Sequence, residues 1–548
     1  MGLNQKQKEA VEYLEGPLLV LAGPGTGKTQ LLSEKVAYIL KNTDTNPENI
    51  LCLTFTETGA ANMRERLKTI VGKSGLKVNI GTYHAFGSDI LMQYKNYAVE
   101  YTRKLDETID EVTRYKIIKN LQERLPGNDI LRGDNVKDII SVISSAKSAG
   151  LSSKDLLKIA TINIEDSIVL SEAISPLLLN VVPRKFRESY NSAYLPIYEL
   201  LKDYVDSKPI VHNVERSIAI LARDLKNAIQ EAESEEKIKP LTAWKDAYFE
   251  KTEKGQYRLK DRVANKKLMS VAYIMSEYND YLHKNGLFDF DDMIQEATKI
   301  LQQDAGFCAT LMERYQFILL DEFQDTNPAQ FSIIKQLTNY EKPMIMAVGD
   351  DDQAIYEFQG ALSTNLDDFQ KYYDANVIPL VENYRSTQEI LDFSRKIINQ
   401  ADDRFADKEL LAHKEAQKST QIFRHEFLSS DMEYCFVADE VAKLIKRGVP
   451  QSNIAIISYK TKYFMPLLPF LKSKPEINIA YEKKNNLLED EKIHELLTLA
   501  KFVNEIAQQQ KNTVSILEIL SYPFGNYLCW RLLKWLIWQK LISVLFLT

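Results

Sequence analysis

Short runs with apolar centres punctuate the first part of the chain: "PLLVLAG" (17–23), "NILCLTF" (49–55) and "KVNIGTY" (77–83). Each is followed by a helical or turn pattern. Runs of this length read as buried strands, and their alternation with helices predicts a parallel sheet with crossover connections. The polar opening "MGLNQKQKEAVEYLEG" reads as a helix. From about 89 to 280 the strand pattern disappears. "DEVTRYKIIKNLQERL", "NVKDIISVISSAKSAG" and "RSIAILARDLKNAIQEAESEEKI" carry helical periodicity, which predicts a mostly helical insertion. Strands return with "YQFILLDE", "PMIMAVGD" and "NVIPLVEN". A second α/β segment follows, with "NIAIISYK" (453–460) as its clearest strand.

The first strand runs into "LAGPGTGKTQ" (21–30), a loop with Gly23, Gly25 and Gly27 around Pro24 and Thr26. A plain turn needs one or two such residues. Glycines let successive backbone N–H groups converge on an anion, and the helix that follows adds the positive end of its dipole. Lys28 can reach the outer phosphates of a nucleotide, and the Thr29 hydroxyl can enter a Mg²⁺ shell. The usual pattern opens with glycine; this chain has Ala22 there.

Composition narrows the field. The 548 residues suffice for several domains, and 45% hydrophobic with 26% charged residues describes a globular chain. A net charge of −7 gives no general attraction to nucleic acid, so a nucleic-acid site has to be a local groove. Cys52, Cys308, Cys435 and Cys529 lie far apart, against a disulfide framework or zinc knuckle. With no secretory signal at the N-terminus, the cytoplasm is the default and no membrane partner is expected.

The returning strands carry carboxylates. "FILLDEFQDTNPAQ" (317–330) ends its apolar run in Asp321–Glu322. At the end of a strand beside a phosphate loop, Asp321 can hold Mg²⁺ through water, and Glu322 can orient or deprotonate an attacking water. "AVGDDDQAIYEFQGA" (347–361) offers the Gln353 amide to the terminal phosphate. "LVENYRSTQEIL" (380–391) offers Tyr384 as an aromatic face and Arg385 as a mobile cation. In isolation those two read as a packing tyrosine and a surface arginine.

The order of these stretches resembles the UvrD/PcrA/Rep group of superfamily 1 DNA helicases. "LNQKQKEAV" (3–11) is similar to the family's adenine-reading Q motif, with Gln7 as its glutamine, and "AGPGTGKT" to motif I. "LTFTETGAANMRERL" (53–67) resembles motif Ia, "IGTYHAF" (80–86) motif Ib, and "GLFDFDDMI" (286–294) the acidic segment that re-enters the first domain. "LLDEFQDTN", "VGDDDQAIYEFQGA" and "VENYRST" resemble motifs II, III and IV. The resemblance runs from residue 3 to roughly 520 and is weakest in the helical insertion.

The resemblance implies an α/β architecture of RecA-like P-loop NTPase lobes, parallel sheets flanked by helices, with a large helical insertion. It divides the chain into a first lobe (1–88 and 281–378), an insertion (89–280), part of a second lobe (379–510) and a stub of a second insertion (511–548). ATP and Mg²⁺ are the implied cofactors. The loop residues Ala22, Gly23, Pro24, Gly25, Thr26, Gly27, Lys28, Thr29 and Gln30 would bind the nucleotide. Gln7 would read the adenine edge and Tyr384 would stack on its face. Thr29 and Asp321 would serve the metal, Glu322 the water and Gln353 the γ-phosphate, with Arg385 as an arginine finger. The implied partner is single-stranded DNA and its junctions with duplex, travelled 3′→5′; no specific protein partner is inferable. Phe55, His84, Tyr356 and Phe358 would grip bases by stacking over a locally basic groove. Outside the family Phe55 and Phe358 read as core, and His84 as a structural hydrogen-bonder.

This chain departs from the family pattern in three places. Motif III usually reads Trp–Arg where Phe358–Gln359 stand, and an arginine usually follows the phosphate loop where Gln30 stands. Motifs V and VI, with a second arginine finger, do not appear before Thr548. The tail "LCWRLLKWLIWQKLISVLFLT" (528–548) is nearly apolar, but Arg531, Lys534 and Lys540 break it below the length of a membrane span, so an amphipathic surface helix fits better. The expectation is a truncated or frame-shifted product. The sequence thus predicts an ATP-dependent DNA helicase of repair or replication. The alternative is an ATP- and single-strand-binding chain unable to complete hydrolysis. A P-loop kinase or transporter ATPase needs neither "DEFQDTN" nor "GDDDQ" with "ENYRS".

Overall fold

The computed structural model describes residues 2–98, 107–182, 185–211, 214–356, 361–362, 364–400, 408–413, 422–480 and 491–507. Phe358, Gln359 and the apolar tail lie outside the described residues. Two compact units divide the chain, Met1–Ile422 and Phe423–Thr548.

The first unit is built on a six-stranded, all-parallel sheet. Its strands are β1 (Leu18–Ala22), β2 (Ile50–Thr54), β3 (Asn79–Thr82), β4 (Phe317–Leu320), β5 (Ile345–Gly349) and β6 (Asn376–Leu380), in the spatial order β6-β1-β5-β4-β2-β3. Central strands of such a sheet are covered on both faces, so they are continuous apolar runs rather than alternating ones. β1 shows this: Leu18 to Ala22 are all buried. Leu19 and Leu21 join one core, with Leu51, Leu53, Tyr83 and Ile294. Leu18, Val20 and Ala22 join the core on the other face, with Leu31, Val36 and Met63. A period of two residues sorts one strand between two cores.

Helices α1 (Gln5–Glu12), α2 (Lys28–Asn42), α3 (Glu57–Val71) and α4 (Tyr83–Tyr97) interleave with β1–β3. Their starts are written locally. Thr56 and Thr82 accept from the backbone N–H of Gly59 and Ala85, and Asn4 and Gln7 form a reciprocal capping box. The insertion then follows with α5 (Glu111–Glu123), α6 (Val136–Ser148), α7 (Ser153–Leu178), α8 (Ser217–Glu235) and α9 (Asp261–Asn285), before α10 (Asp292–Gln303) returns to the sheet. It holds two apolar cores of its own, one around Ile118, Ile143 and Tyr278, the other around Ile174, Leu225 and Trp244. The insertion is helical as expected, apart from two small ladders: Glu107–Thr108 beside Leu287–Phe288, and Phe249–Lys251 against Tyr257–Leu259.

β6 runs to Leu380, across the point where the sequence divides the lobes. A short ladder follows it, Glu382–Asn383 beside Leu411–Ala412. In the second unit, helix Ser430–Lys446 packs Ala438 against Leu467 and Leu471. Here one expectation is corrected: "NIAIISYK" forms no strand. Ile454 to Ser458 join no ladder, and Ile457 and Tyr459 stand 93% and 88% exposed. An apolar run becomes a strand only where a neighbouring strand pairs with it; among the described residues none does, and the Ile454 N–H turns back to the Gln451 carbonyl at 3.1 Å. Among the described residues no helix is long and apolar enough to cross a membrane.

Candidate functional site

The C-terminal ends of β1, β4 and β5 open together on one edge of the sheet. β1 ends in buried Ala22, and the loop that follows turns sharply. Gly25 and Gly27 have φ of +72° and +89°, a region that side-chain-bearing residues rarely adopt. Gly25 is also a point of close approach: a Cβ there would lie 2.7 Å from Arg385 Cβ and Asn383 Nδ2. The Thr26 hydroxyl closes the loop on the Gly23 carbonyl at 2.8 Å. Gly27 is the N-cap of α2, so Lys28, Thr29 and Gln30 form its first turn, where unpaired N–H groups and the dipole favour an anion.

Gln7 is buried, with its Nε2 donating to the Thr26 carbonyl at 2.9 Å and its Oε1 accepting from the Asn4 N–H at 2.9 Å. The side chain thus braces the loop from α1. In this geometry each amide atom has one partner within the protein, which leaves one N–H and one lone pair for a base edge.

Lys28 reaches across the edge. Its ammonium donates to Glu322 Oε2 at 2.7 Å and lies 3.4 Å from Gln353 Oε1. Gln324 Nε2 donates to the same Glu322 oxygen at 2.9 Å. Glu322 sits in the left-handed region at φ +48°, a strained conformation for a residue with a side chain. Asp321, buried at the end of β4, accepts the Glu322 N–H at 3.0 Å. Burial, with Glu322 adding and Lys28 opposing, pushes the Asp321 carboxyl up to about 6. Asp325 is raised to about 6 in the same way, and one of its buried oxygens has no hydrogen-bond partner. Hard oxygen donors of this kind suit Mg²⁺. A divalent cation favours the ionised form that burial and crowding disfavour, so Asp321 fits as its holder; the Thr29 hydroxyl stands on the first turn of α2.

The segment after β6 is laid against the loop. Asn383 Nδ2 donates to the Pro24 carbonyl, and the Tyr384 N–H donates to the Gly25 carbonyl at 2.9 Å. The Tyr384 hydroxyl donates to Glu382 at 2.7 Å and accepts from Asn4 Nδ2 at 2.9 Å, and its ring lies 4.9 Å from that of His413. Arg385 is exposed beside Gly25. Gln353 donates to the Asp350 carboxylate, completing the ring of groups around Lys28.

The aromatic candidates pair up away from this centre. Phe55 and Tyr356 lie 4.8 Å apart, tilted by 41°. His84 stacks on Phe290 at 4.1 Å and 19°, and burial holds its imidazole below the usual pKa. Phe290 is 55% exposed and was not singled out from sequence. Its signal is an apolar residue set between acids in "DFDD". Asn4 and Asn383 were also missed. The spacing of Asn4 before Gln7 matches a capping box, whereas nothing local marks Asn383.

A wholly parallel sheet whose first strand runs through a glycine loop into a lysine-headed helix, with carboxylates on the neighbouring strand ends, defines a P-loop α/β protein of the RecA-like class. The family model for the UvrD/REP helicase N-terminal domain matches residues 3–374, and that for the UvrD-like helicase C-terminal domain matches 378–535. The chain belongs to the UvrD/REP helicase family. It is 25% identical over 524 residues to a protein named ATP-dependent DNA helicase PcrA from Staphylococcus aureus, covering 95% of this chain and 56% of that one. It is 28% identical over 463 residues to the protein of that name from Bacillus subtilis, covering 84% of this chain and 47% of that one. The chain spans about half the length of the curated relatives it matches.

Proposed function

We propose that this chain is an ATP-dependent DNA motor of the 3′→5′ helicase kind, a cytoplasmic protein of DNA repair or replication that engages single strands and their junctions with duplex. The observation that carries the reading is Lys28, whose ammonium meets Glu322 and Gln353 at one point, the meeting place of phosphate loop, water-activating carboxylate and γ-phosphate amide. On this reading Lys28 transfers from Glu322 to the phosphates when nucleotide enters. Asp321 and Thr29 would hold Mg²⁺, which would neutralise phosphate charge. Glu322, relieved of Lys28, takes the proton of the attacking water, and Arg385 meets the transition-state charge. Tyr384 stacks on the adenine, with Gln7 beneath the loop. The pairs Phe55–Tyr356 and His84–Phe290 offer faces to unstacked bases. Residues 89–280 form the inserted domain of the first lobe, and a second lobe begins after β6.

The deciding experiment is ATP turnover by the 548-residue chain with and without single-stranded DNA. Turnover stimulated by the strand is expected. Binding of nucleotide and strand without any turnover would replace the motor by the alternative of a binding chain. Failure to bind Mg·ATP would sink both.

A further inference from the structure

Lys408 is a buried lysine outside the candidate machinery. Its residue is 6% exposed, and its ammonium hydrogen-bonds to the carboxylates of Asp350 and Asp351 and stands 3.8 Å from Asp352. Those three carboxylates are the one acidic group among the described residues compact enough to hold a metal ion. The lysine ammonium already sits on them.

Two features give this cation a role beyond charge balance. The first is a shared carboxylate. Lys408 takes one oxygen of fully buried Asp350, and Gln353 Nε2 donates to the other. A Gln353 side chain that swings over to a terminal phosphate gives up its bond to Asp350. A buried carboxylate that loses a donor is costly unless another partner stays. Lys408 is that partner. The second feature is where Lys408 is anchored. Just beyond it, the N–H groups of Leu411 and His413 donate to the carbonyls of Val381 and Asn383 at 2.9 and 2.8 Å. The Leu410 side chain packs so close to Gly23 that a Cβ there would lie 2.7 Å from it. Asn383 in turn holds the Pro24 carbonyl. The contacts therefore close a circuit: phosphate loop, Asn383, residues 410–413, Lys408, Asp350, Gln353, Lys28 and back to the loop.

We propose that Lys408 is a positioning residue that keeps Asp350 paired while Gln353 changes partner, and so sets the preference of the site for a nucleoside triphosphate over a diphosphate. The proposal rests on the nucleotide-binding reading above. Without Lys408 the unpaired Asp350 carboxylate grips the Gln353 N–H more tightly, and the cost falls on the ligand that bears the terminal phosphate.

The test compares affinities of the full chain for a fluorescent, non-hydrolysable ATP analogue and for the matching ADP analogue, both with Mg²⁺. Lys408→Met is expected to lower the triphosphate-over-diphosphate ratio by about tenfold, the scale of one hydrogen bond to a charged group, with diphosphate affinity unchanged. Lys408→Arg should restore most of the ratio. Lys408→Met combined with Asp350→Asn removes both charges and should restore it too, even if the single variant folds poorly. An unchanged ratio in Lys408→Met, or equal loss of both nucleotides in the single and double variants, overturns the proposal. Failure of the unmodified chain to bind either analogue overturns the nucleotide-binding reading itself, and the proposal with it.

Discussion

Lys147 gives the sharpest stability prediction. It lies on α6, with its side chain wholly buried, and its ammonium contacts Asp289 at 2.9 Å and Asp292 at 2.6 Å at the start of α10. Arg114 on α5 adds contacts of 3.6 Å to Asp289 and 3.0 Å to Asp291, and the Tyr278 hydroxyl on α9 donates to Asp289 at 2.8 Å. Burial pushes Asp289 up, but Lys147 and Arg114 outweigh it and hold the carboxyl down at about 2. Burial and the neighbouring Asp289 raise Asp292 to about 6 against the pull of Lys147. Lys147→Met keeps most of the volume and removes the charge. The lost cation–π contact with Tyr278, 5.0 Å away, is worth at most about 2 kcal/mol. The greater loss comes from the two buried carboxylates left short of a cation, about 3–5 kcal/mol. For a cooperative block of roughly 150–250 residues this lowers the melting midpoint by on the order of 6–20 °C. Calorimetry at pH 7.5 reads it directly, and pH adds a sign check. In the variant the stranded carboxyls are raised above their unfolded values. Their contribution is therefore fully present below the unfolded pKa, about 3.9, and is lost as pH rises through the folded value. The gap between parent and variant should thus narrow towards pH 4.5. A midpoint shift under about 2 °C, or a gap that widens on acidification, would refute the argument.

Three further outcomes are expected. Glu322→Gln keeps the shape of the side chain and removes the base, so Mg·ATP binding should persist while strand-stimulated turnover disappears; equal turnover would assign the water to another group. Phe290→Ala should weaken single-strand binding by about 1–3 kcal/mol with little dependence on base sequence, and unchanged affinity in a fluorescence titration would return the His84–Phe290 stack to a packing role. Burial lowers the Lys35 ammonium to about 8 while it donates to the carbonyls of Ala10, Val11 and Tyr13. A lysine depressed in the folded state contributes stability above its unfolded pKa that is lost as pH falls through the folded one, so the parent should gain on Lys35→Met in melting scans between pH 7.5 and 9.5; a constant difference would refute the assignment.

The sheet was legible because burial on both faces turns its strands into apolar runs, and a run like "LLVLA" needs no knowledge of its neighbours. The phosphate loop was legible for the same local reason, since its positive φ angles require glycine where glycine stands. What the sequence hid were closures between distant segments. Lys147 reads as a solvated charge on an amphipathic helix, and only the return of the chain at Asp289 explains its burial. Lys408 lies in a stretch without periodicity, and its three carboxylates stand more than fifty positions earlier in the sequence. "NIAIISYK" failed the other way: its composition suits a strand, but pairing is not a property of composition.

The same distinction bears on how the proposed site would work. A sequence motif places a lysine and a glutamate as separate parts, one for phosphate and one for water. Their direct contact at 2.7 Å makes them alternatives. While Lys28 donates to Glu322, one carboxylate oxygen is taken up by the ammonium and by the Gln324 amide. On the proposed reading, phosphate that draws the ammonium away leaves Glu322 with the weaker neutral donor Gln324. Asp321, raised to about 6 by burial and by Glu322, is held more firmly as a carboxylate when a cation faces it. On the proposed reading the residue that would recognise the substrate also occupies the carboxylate that would serve as base, so the site would need no lid to hold idle chemistry in check.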